Sequence, residues 1–243
     1  MKVLVCSRSG NVGKSTLVRH LLAPRLGNAP IVPVESINAD EADEQAVRGK
    51  QFAHVQDFLL SVDSAVVDLG ASNFEDFFSL MSTYAGSHED FDLFVVPVVP
   101  ESKQERDTVM TIKSLSELGV PAEKIITVFN KITRPEEIDT EFRMLHAFHA
   151  EHKSFILRRD AIVYANPIYA SLRSMSSPRS IFDIRDDPTD YKTELAIAIG
   201  NGASDDEKTV LKGLIATKRL ATGVAAQLDD TFKALMRKSK NGT

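Results

Sequence analysis

MKVLVCSRSGNVGKSTLVRHLL, residues 1–22, is the stretch that decides the fold of this chain. The apolar run Val3–Cys6 predicts a short buried strand, and the small polar residues after it predict a turn. Apolar residues then recur at helical spacing from Leu17 to Leu22. The order is therefore strand, turn and helix, with Gly13-Lys14-Ser15-Thr16 at the point where the helix begins.

The turn has the properties of a phosphate loop. Backbone N–H groups at a helix N-terminus face an anion, and the helix dipole adds positive potential. Gly10 and Gly13 would let the backbone approach phosphates closely. Lys14 would contact the β- and γ-phosphates, the Ser15 hydroxyl would hold Mg²⁺, and Thr16 would contact the α-phosphate side.

The match to the consensus G-x-x-x-x-G-K-[ST] is incomplete, because its first glycine falls on Arg8. A polar turn that merely contains Gly-Lys-Ser is the alternative interpretation. The context, a first strand before the motif and an amphipathic helix after it, favours the phosphate loop.

Acidic residues end two further predicted strands. Ala65–Val67 is followed by Asp68, the Walker B pattern in which a carboxylate holds Mg²⁺ through water. An Asp that caps the next turn is the alternative. Glu35 follows the predicted strand Ile31–Val34. Together with the phosphate loop, Asp68 predicts a magnesium site formed with Ser15.

Alternating strands and helices predict an α/β fold, a P-loop NTPase with a doubly wound, mainly parallel sheet and helices on both faces. Ligands bind such sheets at the carboxyl ends of the strands, where the loop, Glu35, Asp68 and Asn130 all fall. We predict a nucleotide-binding domain over residues 1–200 and a helical C-terminal extension over 201–243.

Some helices are harder to delimit. We predict a single helix over Pro135–His152 and an irregular charged segment over Asp183–Pro188. A long helical region should start near Ser204 and break near Gly223, with a basic end that includes Lys233, Arg237, Lys238 and Lys240.

Composition narrows the class of protein. The chain has 243 residues, is 43% hydrophobic and carries a net charge of −5, so it can bury a core and its bulk charge does not indicate nucleic-acid binding. Its one cysteine excludes a disulfide within the chain, which suits the cytoplasm. No apolar run approaches the ~20 residues that span a bilayer.

These motifs resemble those of the ParA/MinD family of deviant-Walker ATPases. Residues 9–16 align without gaps to that family's K-G-G-x-G-K-[ST]-T. The family's signature lysine falls on Ser9, with Arg8 beside it as a neighbouring cation. The family's D-x-D after the second strand falls on Glu35 and Ile37, and Asp40 lies close by in sequence.

The resemblance implies ATP and Mg²⁺ as cofactors, a homodimer, and an adaptor protein that binds plasmid DNA, in a cytoplasmic protein that can associate with the nucleoid. Lys14, Glu35 and Asp40 are the implied catalytic residues. Asn130 and Pro167 would lie on the adenine side. The long C-terminal helical tail is similar to StbB-type plasmid stability proteins, and its basic end is a candidate DNA contact. The implied nucleotide contacts are Arg8, Ser9, Gly10, Asn11, Val12, Gly13, Lys14, Ser15, Thr16, Asn130 and Pro167.

Three alternatives stay open. A SIMIBI-type GTPase would read guanine with N-K-x-D, but Asn130-Lys131-Ile132-Thr133 lacks the carboxylate, which favours adenine. A nucleotide-dependent scaffold without hydrolysis is indicated by Ser9 and Ile37. A small-molecule kinase also fits the loop, although no arginine-rich lid is evident.

Overall fold

The computed structural model describes residues 1–35, 41–173 and 179–237, and only the backbone of residues 41–48. Its strands form one six-stranded, all-parallel sheet in the order β2-β3-β1-β4-β5-β6. The predicted α/β fold with a parallel sheet is confirmed. The strands are β1 (Lys2–Val5), β2 (Ile31–Val34), β3 (Ala65–Leu69), β4 (Leu93–Val98), β5 (Ile125–Ile132) and β6 (Ile162–Tyr164).

Helices follow the strands, as the alternating pattern predicts. Short 3₁₀ segments lie at Ala23–Leu26, Ala71–Asn73, Ser87–Asp90 and Ala122–Lys124. The first helix, α1 (Lys14–Thr16), continues as a wider π-helical segment over Leu17–Leu22. The others are α2 (Glu41–Ser61), α3 (Phe74–Thr83), α4 (Ser102–Glu117), α5 (Glu137–Thr140), α6 (Arg143–His152), α7 (Ile168–Arg173), α8 (Ile181–Arg185), α9 (Tyr191–Gly200) and α10 (Asp205–Met236).

Three helix predictions are wrong. The single helix over Pro135–His152 is two helices, because Phe142 leaves helical geometry and buries its ring edge-on against Phe129, with centroids 4.9 Å apart. Gly223 does not break α10, whose buried neighbours on either side offset a glycine cost of about 1 kcal/mol. The segment predicted to be irregular begins inside α8, a helix that starts with a capping box between Ser180 and Asp183.

The position of β1 organises the sheet. It pairs with β3 on one side and β4 on the other. The chain leaving β1 runs to β2 on one side, whereas the chain leaving β4 runs to β5 on the opposite side. In doubly wound sheets, ligands bind in the crevice at such a reversal, outside the carboxyl ends of the strands. The first loop of the chain starts at this point.

Pro97 lies inside β4, although proline cannot donate to a ladder. The β1–β4 pairing ends at Val5 and Val95, and the amide of Cys6 makes the last bond to the carbonyl of Val95. Because β1 has already turned into its loop, the missing donor of Pro97 faces no partner strand. β4 therefore continues beyond the end of its neighbour β1.

The hydrophobic core of the sheet unit is rich in aromatic side chains. Phe52 meets Phe77 edge-on at 5.0 Å, and Phe74 stacks on Phe78 at 4.0 Å. The first contact packs α2 against α3, the second lies within α3, and all four rings belong to the same buried cluster as the strands. This packing fixes the start of α3, the element next to the end of β3.

The chain divides into two compact units. One comprises Met1–Ala165 together with the C-terminal segment that begins at Thr231, and the other comprises Asn166–Asp230. The domain boundary predicted at residue 200 stays a prediction.

Among the described helices, none combines the length and the apolar character that crossing a bilayer requires.

Candidate functional site

The loop after β1 closes on a glycine that no other residue type could replace easily. Gly13 has φ 86° and ψ 29°, the left-handed region, and the helix begins at the next residue. A Cβ atom on Gly13 would lie 2.1 Å from Nδ2 of Asn130. The carbonyl of Gly13 accepts the amide of Leu17 at 3.0 Å, which starts the helical ladder. Asn11, also at positive φ, and Gly10 are exposed, whereas Val12 is buried.

Lys14 points back into this loop. Its side chain is buried, and Nζ donates to the carbonyl of Ser9 at 2.9 Å. Burial lowers the pKa of Lys14, while the nearby Asp68 carboxylate acts in the opposite direction. A buried ammonium group whose partner is a main-chain carbonyl can exchange that partner for a phosphate oxygen. The predicted contact of Lys14 with the β- and γ-phosphates stays a prediction.

Ser15 and Asp68 meet across the edge of the sheet. The Ser15 hydroxyl is close enough to the Asp68 carboxylate to lower the pKa of that carboxyl. Burial raises the pKa of Asp68, the Ser15 and Lys14 contacts oppose that rise, and Glu35 is close enough to add to it. The structure thus brings Ser15, Asp68 and Glu35 into one neighbourhood.

This donor set fits Mg²⁺. A hydroxyl and a carboxylate are hard oxygen ligands, and magnesium in phosphoryl-transfer sites takes its remaining ligands from phosphate and water. Within the described residues there is no group of three His, Cys, Asp or Glu side chains that would form an all-protein metal cage. A metal at Ser15 and Asp68 would therefore depend on a phosphate ligand.

The first half of the loop is held by helices. The Arg8 guanidinium forms an ion pair with Glu75 on α3, donates to the Ser114 hydroxyl at 2.9 Å and lies 4.9 Å from the Phe74 ring centroid. The Arg8 amide donates to the Thr111 hydroxyl at 3.1 Å. Arg8 is thus engaged with α3 and α4, and its predicted nucleotide contact stays a prediction.

Ser9, at the place of the signature lysine, is also bound to α4. Its hydroxyl donates to the Asp107 carboxylate. Asp107, Thr111 and Ser114 are spaced by four and three residues, so they share one face of α4. The sequence motifs did not identify these three residues. Their spacing was the available signal.

Asn130 holds the second half of the loop. Its Nδ2 donates to the carbonyl of Val12 at 2.7 Å, and its Oδ1 accepts the amide of Lys131 at 2.9 Å. Both ends of the buried amide are therefore engaged by main chain. The predicted contact of Asn130 with adenine stays a prediction, whereas its contact with the phosphate loop was not foreseen.

Gly70 fixes the path of the chain just after Asp68. Its amide donates to the carbonyl of Val34 at 2.9 Å, and a Cβ atom there would lie 2.9 Å from that same oxygen. The chain after Asp68 is therefore held against the end of β2. This contact keeps Glu35 beside Asp68.

Other predicted residues lie elsewhere. Asp40 and Ile37 fall outside the described residues. Pro167 belongs to the second unit, where the Asn166 side chain accepts the amide of Ile168 at 3.0 Å, and its nucleotide contact stays a prediction. At the predicted basic end, Arg237 pairs with Asp160 at 2.9 and 3.1 Å, while Lys238 and Lys240 lie outside the described residues.

Comparisons with known proteins agree with this architecture. No protein-family model matches the chain, and a search of curated proteins found no match. Among solved structures, the MinD cell division protein of Aquifex aeolicus matches with a TM-score of 0.53 and 14% identity, over 98% of each chain.

A MinC:MinD cell division protein complex from the same organism contains a chain that matches with a TM-score of 0.56 and 15% identity, over 100% of this chain and 98% of that one. McdA from Cyanothece matches at a TM-score of 0.45 and 11% identity, over 98% and 97%, which is too distant to support an argument. At these identities the likeness shows the fold alone. The chain therefore has an α/β P-loop fold with a six-stranded parallel sheet.

Proposed function

We propose that this chain binds ATP with Mg²⁺ and acts as a nucleotide-dependent switch of the ParA/MinD type. One observation carries the proposal: Lys14, Ser15 and Asp68 lie together at the carboxyl end of the central strands, around a loop that closes on Gly13. A buried lysine, a hydroxyl and a carboxylate in this arrangement match the groups that bind a nucleoside triphosphate and its metal ion.

Each residue has a definable task. Lys14 would give up the Ser9 carbonyl and bind phosphate oxygens, which replaces a neutral acceptor by a negatively charged one. Ser15 and Asp68 would hold Mg²⁺, which when bound neutralises developing charge on the phosphates. Glu35, beside Asp68, and Asp40 are the proposed residues that orient the attacking water. The Gly10 and Asn11 segment is the exposed part of the loop.

The proposed base is adenine. In the guanine-reading motif N-K-x-D, the fourth position supplies a carboxylate, and here it is Thr133. Glu137, the nearby acid, accepts both the amide of Thr133 at 3.0 Å and its hydroxyl at 2.7 Å. That carboxylate is engaged with the residue that follows β5. A SIMIBI-type GTPase is the second candidate, and a side-by-side titration with ATP and GTP separates the two.

The cellular role that we propose is plasmid partition or stability, exerted by a homodimer through a DNA-bound adaptor. Support comes from the resemblance of the motifs to the ParA/MinD and StbB-type proteins. MinD, the structural neighbour, occurs in a complex with a second protein, MinC. Phosphate release measured with adaptor and plasmid DNA present tests this role, because a scaffold without hydrolysis would show no release that depends on Lys14.

The central test is ATP binding by Lys14→Ala. We expect at least about a hundredfold loss of affinity in calorimetric titration with Mg²⁺, since the variant removes the positive charge from the loop. Lys113→Ala is the matched control, because Lys113 is 57% exposed on α4 and pairs with Glu117. Wild-type affinity in Lys14→Ala, or an equal loss in Lys113→Ala, would overturn the assignment.

A further inference from the structure

A positively charged cavity lies in the unit formed by residues 166–230. It measures about 430 Å³ and opens between the start of α9 and the middle of α10. Lys192 from α9 and Lys218 and Arg219 from α10 line it, with Asp190 as the one lining carboxylate among the described residues. Three cations and one carboxylate leave a formal charge of +2 in a chain whose net charge is −5. Such a local reversal of sign attracts anions.

The Asp190 carboxylate does not neutralise the cavity, because it caps α9. It accepts the amides of Lys192 at 3.1 Å and Thr193 at 3.3 Å, and the Thr193 hydroxyl at 2.8 Å. These bonds hold the pKa of Asp190 below its usual range. Its negative charge is thus directed at the first turn of the helix.

A hydrogen-bond network makes one wall of the cavity rigid. Lys218 Nζ donates to the carbonyls of Asp187 at 2.6 Å and Thr189 at 3.0 Å. An ammonium group has three donors, so one more can serve a ligand. The hydroxyl of Tyr191 donates to the Asp187 carboxylate at 2.8 Å, and Arg179 donates to the same carboxylate at 2.9 Å. The Tyr191 ring is thereby fixed 5.8 Å from Lys218 Nζ.

We propose that this cavity binds a phosphate-bearing ligand. Lys192, Lys218 and Arg219 would bind the phosphate, and the fixed Tyr191 ring would pack against its organic part. The volume falls within the range of small-molecule sites, and an arginine with two lysines suits phosphate recognition. The phosphate could belong to a free phosphorylated small molecule or to the backbone of single-stranded DNA. The site is separate from the phosphate loop and does not rest on the proposed function.

The test measures binding in a Lys14→Ala background, so that the phosphate loop contributes little. Inorganic pyrophosphate is titrated by calorimetry, and a fluorescently labelled single-stranded oligonucleotide by anisotropy. We expect Lys192→Ala with Arg219→Ala to weaken binding by about tenfold or more, because two charge-assisted contacts are lost. Lys212→Ala is the matched control, since Lys212 is exposed on α10 and lies outside the cavity lining.

The two probes distinguish a small phosphorylated ligand from single-stranded DNA. Binding of pyrophosphate without the oligonucleotide supports a small ligand, and tighter binding of the oligonucleotide supports the DNA backbone. Arg219→Lys keeps the charge and should retain most of the affinity. Absence of binding by both probes overturns the proposal, as does an equal loss in the Lys212→Ala control. Both cavity cations that are replaced are exposed, so thermal unfolding should show that the variants remain folded.

Discussion

The phosphate loop and the hairpin formed by α9 and α10 both contain cationic side chains, but these side chains differ in how deeply they are buried. In the loop, Lys14 is buried, and Arg8, Ser9 and Val12 are hydrogen-bonded to side chains of α4 or β5. In the hairpin, Lys192 and Arg219 are exposed, and no residue of α9 is buried. The contrast teaches that the first site depends on dense packing around a single turn, whereas the second depends on exposed side chains held by two helices.

If that contrast is correct, the largest effect on stability within the two sites should come from Gly13→Ala. The substitution forces a side chain into positive φ and places Cβ against Asn130, so we expect the free energy of unfolding to fall by about 2–4 kcal/mol. Gly10→Ala is the matched control, because no atom lies within 4 Å of a Cβ there, and it should change stability by less than about 0.5 kcal/mol. Equal losses in chemical denaturation would remove the contrast.

Asn130→Ala should have the next largest effect. It leaves the buried carbonyl of Val12 without its 2.7 Å donor, which should cost about 1–3 kcal/mol and weaken ATP binding about tenfold. Thr127→Val on the same strand is the control. The Thr127 hydroxyl is buried and, within the described part of the chain, has no hydrogen-bond partner, so valine should be neutral or stabilising. Unchanged ATP affinity in Asn130→Ala would show that the amide does not support the loop.

A smaller effect is expected from Asp68→Asn, with a defined dependence on pH. Because burial raises its pKa from 3.8, Asp68 binds more protons in the folded than in the unfolded protein between these two pKa values. The free energy of unfolding therefore falls as pH rises through that window, and the charged form reduces stability at neutral pH.

Asp68→Asn removes the destabilising effect of the buried charged carboxylate. We expect its midpoint of thermal unfolding without nucleotide to rise by about 1–3 °C at pH 7 and to show no gain below pH ~4. The same variant should lose the Mg²⁺-dependent stabilisation by ATP. Asp206→Asn, at an exposed position of α10, is the control and should change neither property. A pH profile identical to that of the wild type would contradict the role of burial.

The smallest effect is expected in the hairpin. Ile197 is 57% exposed, so Ile197→Ala should change the free energy of unfolding by no more than about 0.5 kcal/mol. The equivalent substitution Ile112→Ala, at a fully buried position of α4, should cost about 2–5 kcal/mol. Similar costs in urea unfolding would mean that α9 is packed as tightly as the sheet unit.

Much of the candidate site could be predicted because its parts are local or lie at strand ends. Gly13, Lys14 and Ser15 are adjacent in sequence, and the need for positive φ followed by a helix start is met within three residues. Asp68 could be placed because parallel strands bring their carboxyl ends to one edge. By contrast, the contact of Asn130 with Val12 joins residues 118 positions apart, and no local pattern indicates which atom an amide will meet.

The helix predictions fail for the same reason, because a long-range contact outweighs a local pattern. Gly223 satisfies the local criterion for a helix break, but burial of its neighbours outweighs the propensity of one glycine. Phe142 satisfies the criterion for a continuous helix, but its burial against Phe129 ends the helix there.

By itself, the sequence determined the strand–loop–helix opening, the parallel sheet and the acidic residue at the end of β3, because these follow from short-range conformational preferences and from hydrophobic period. Only the tertiary structure decided that α4 binds Ser9 and Arg8, that Asn130 supports the loop, and that three cations meet beside Tyr191. Those contacts depend on how distant helices and strands pack, and packing is a property of the whole chain.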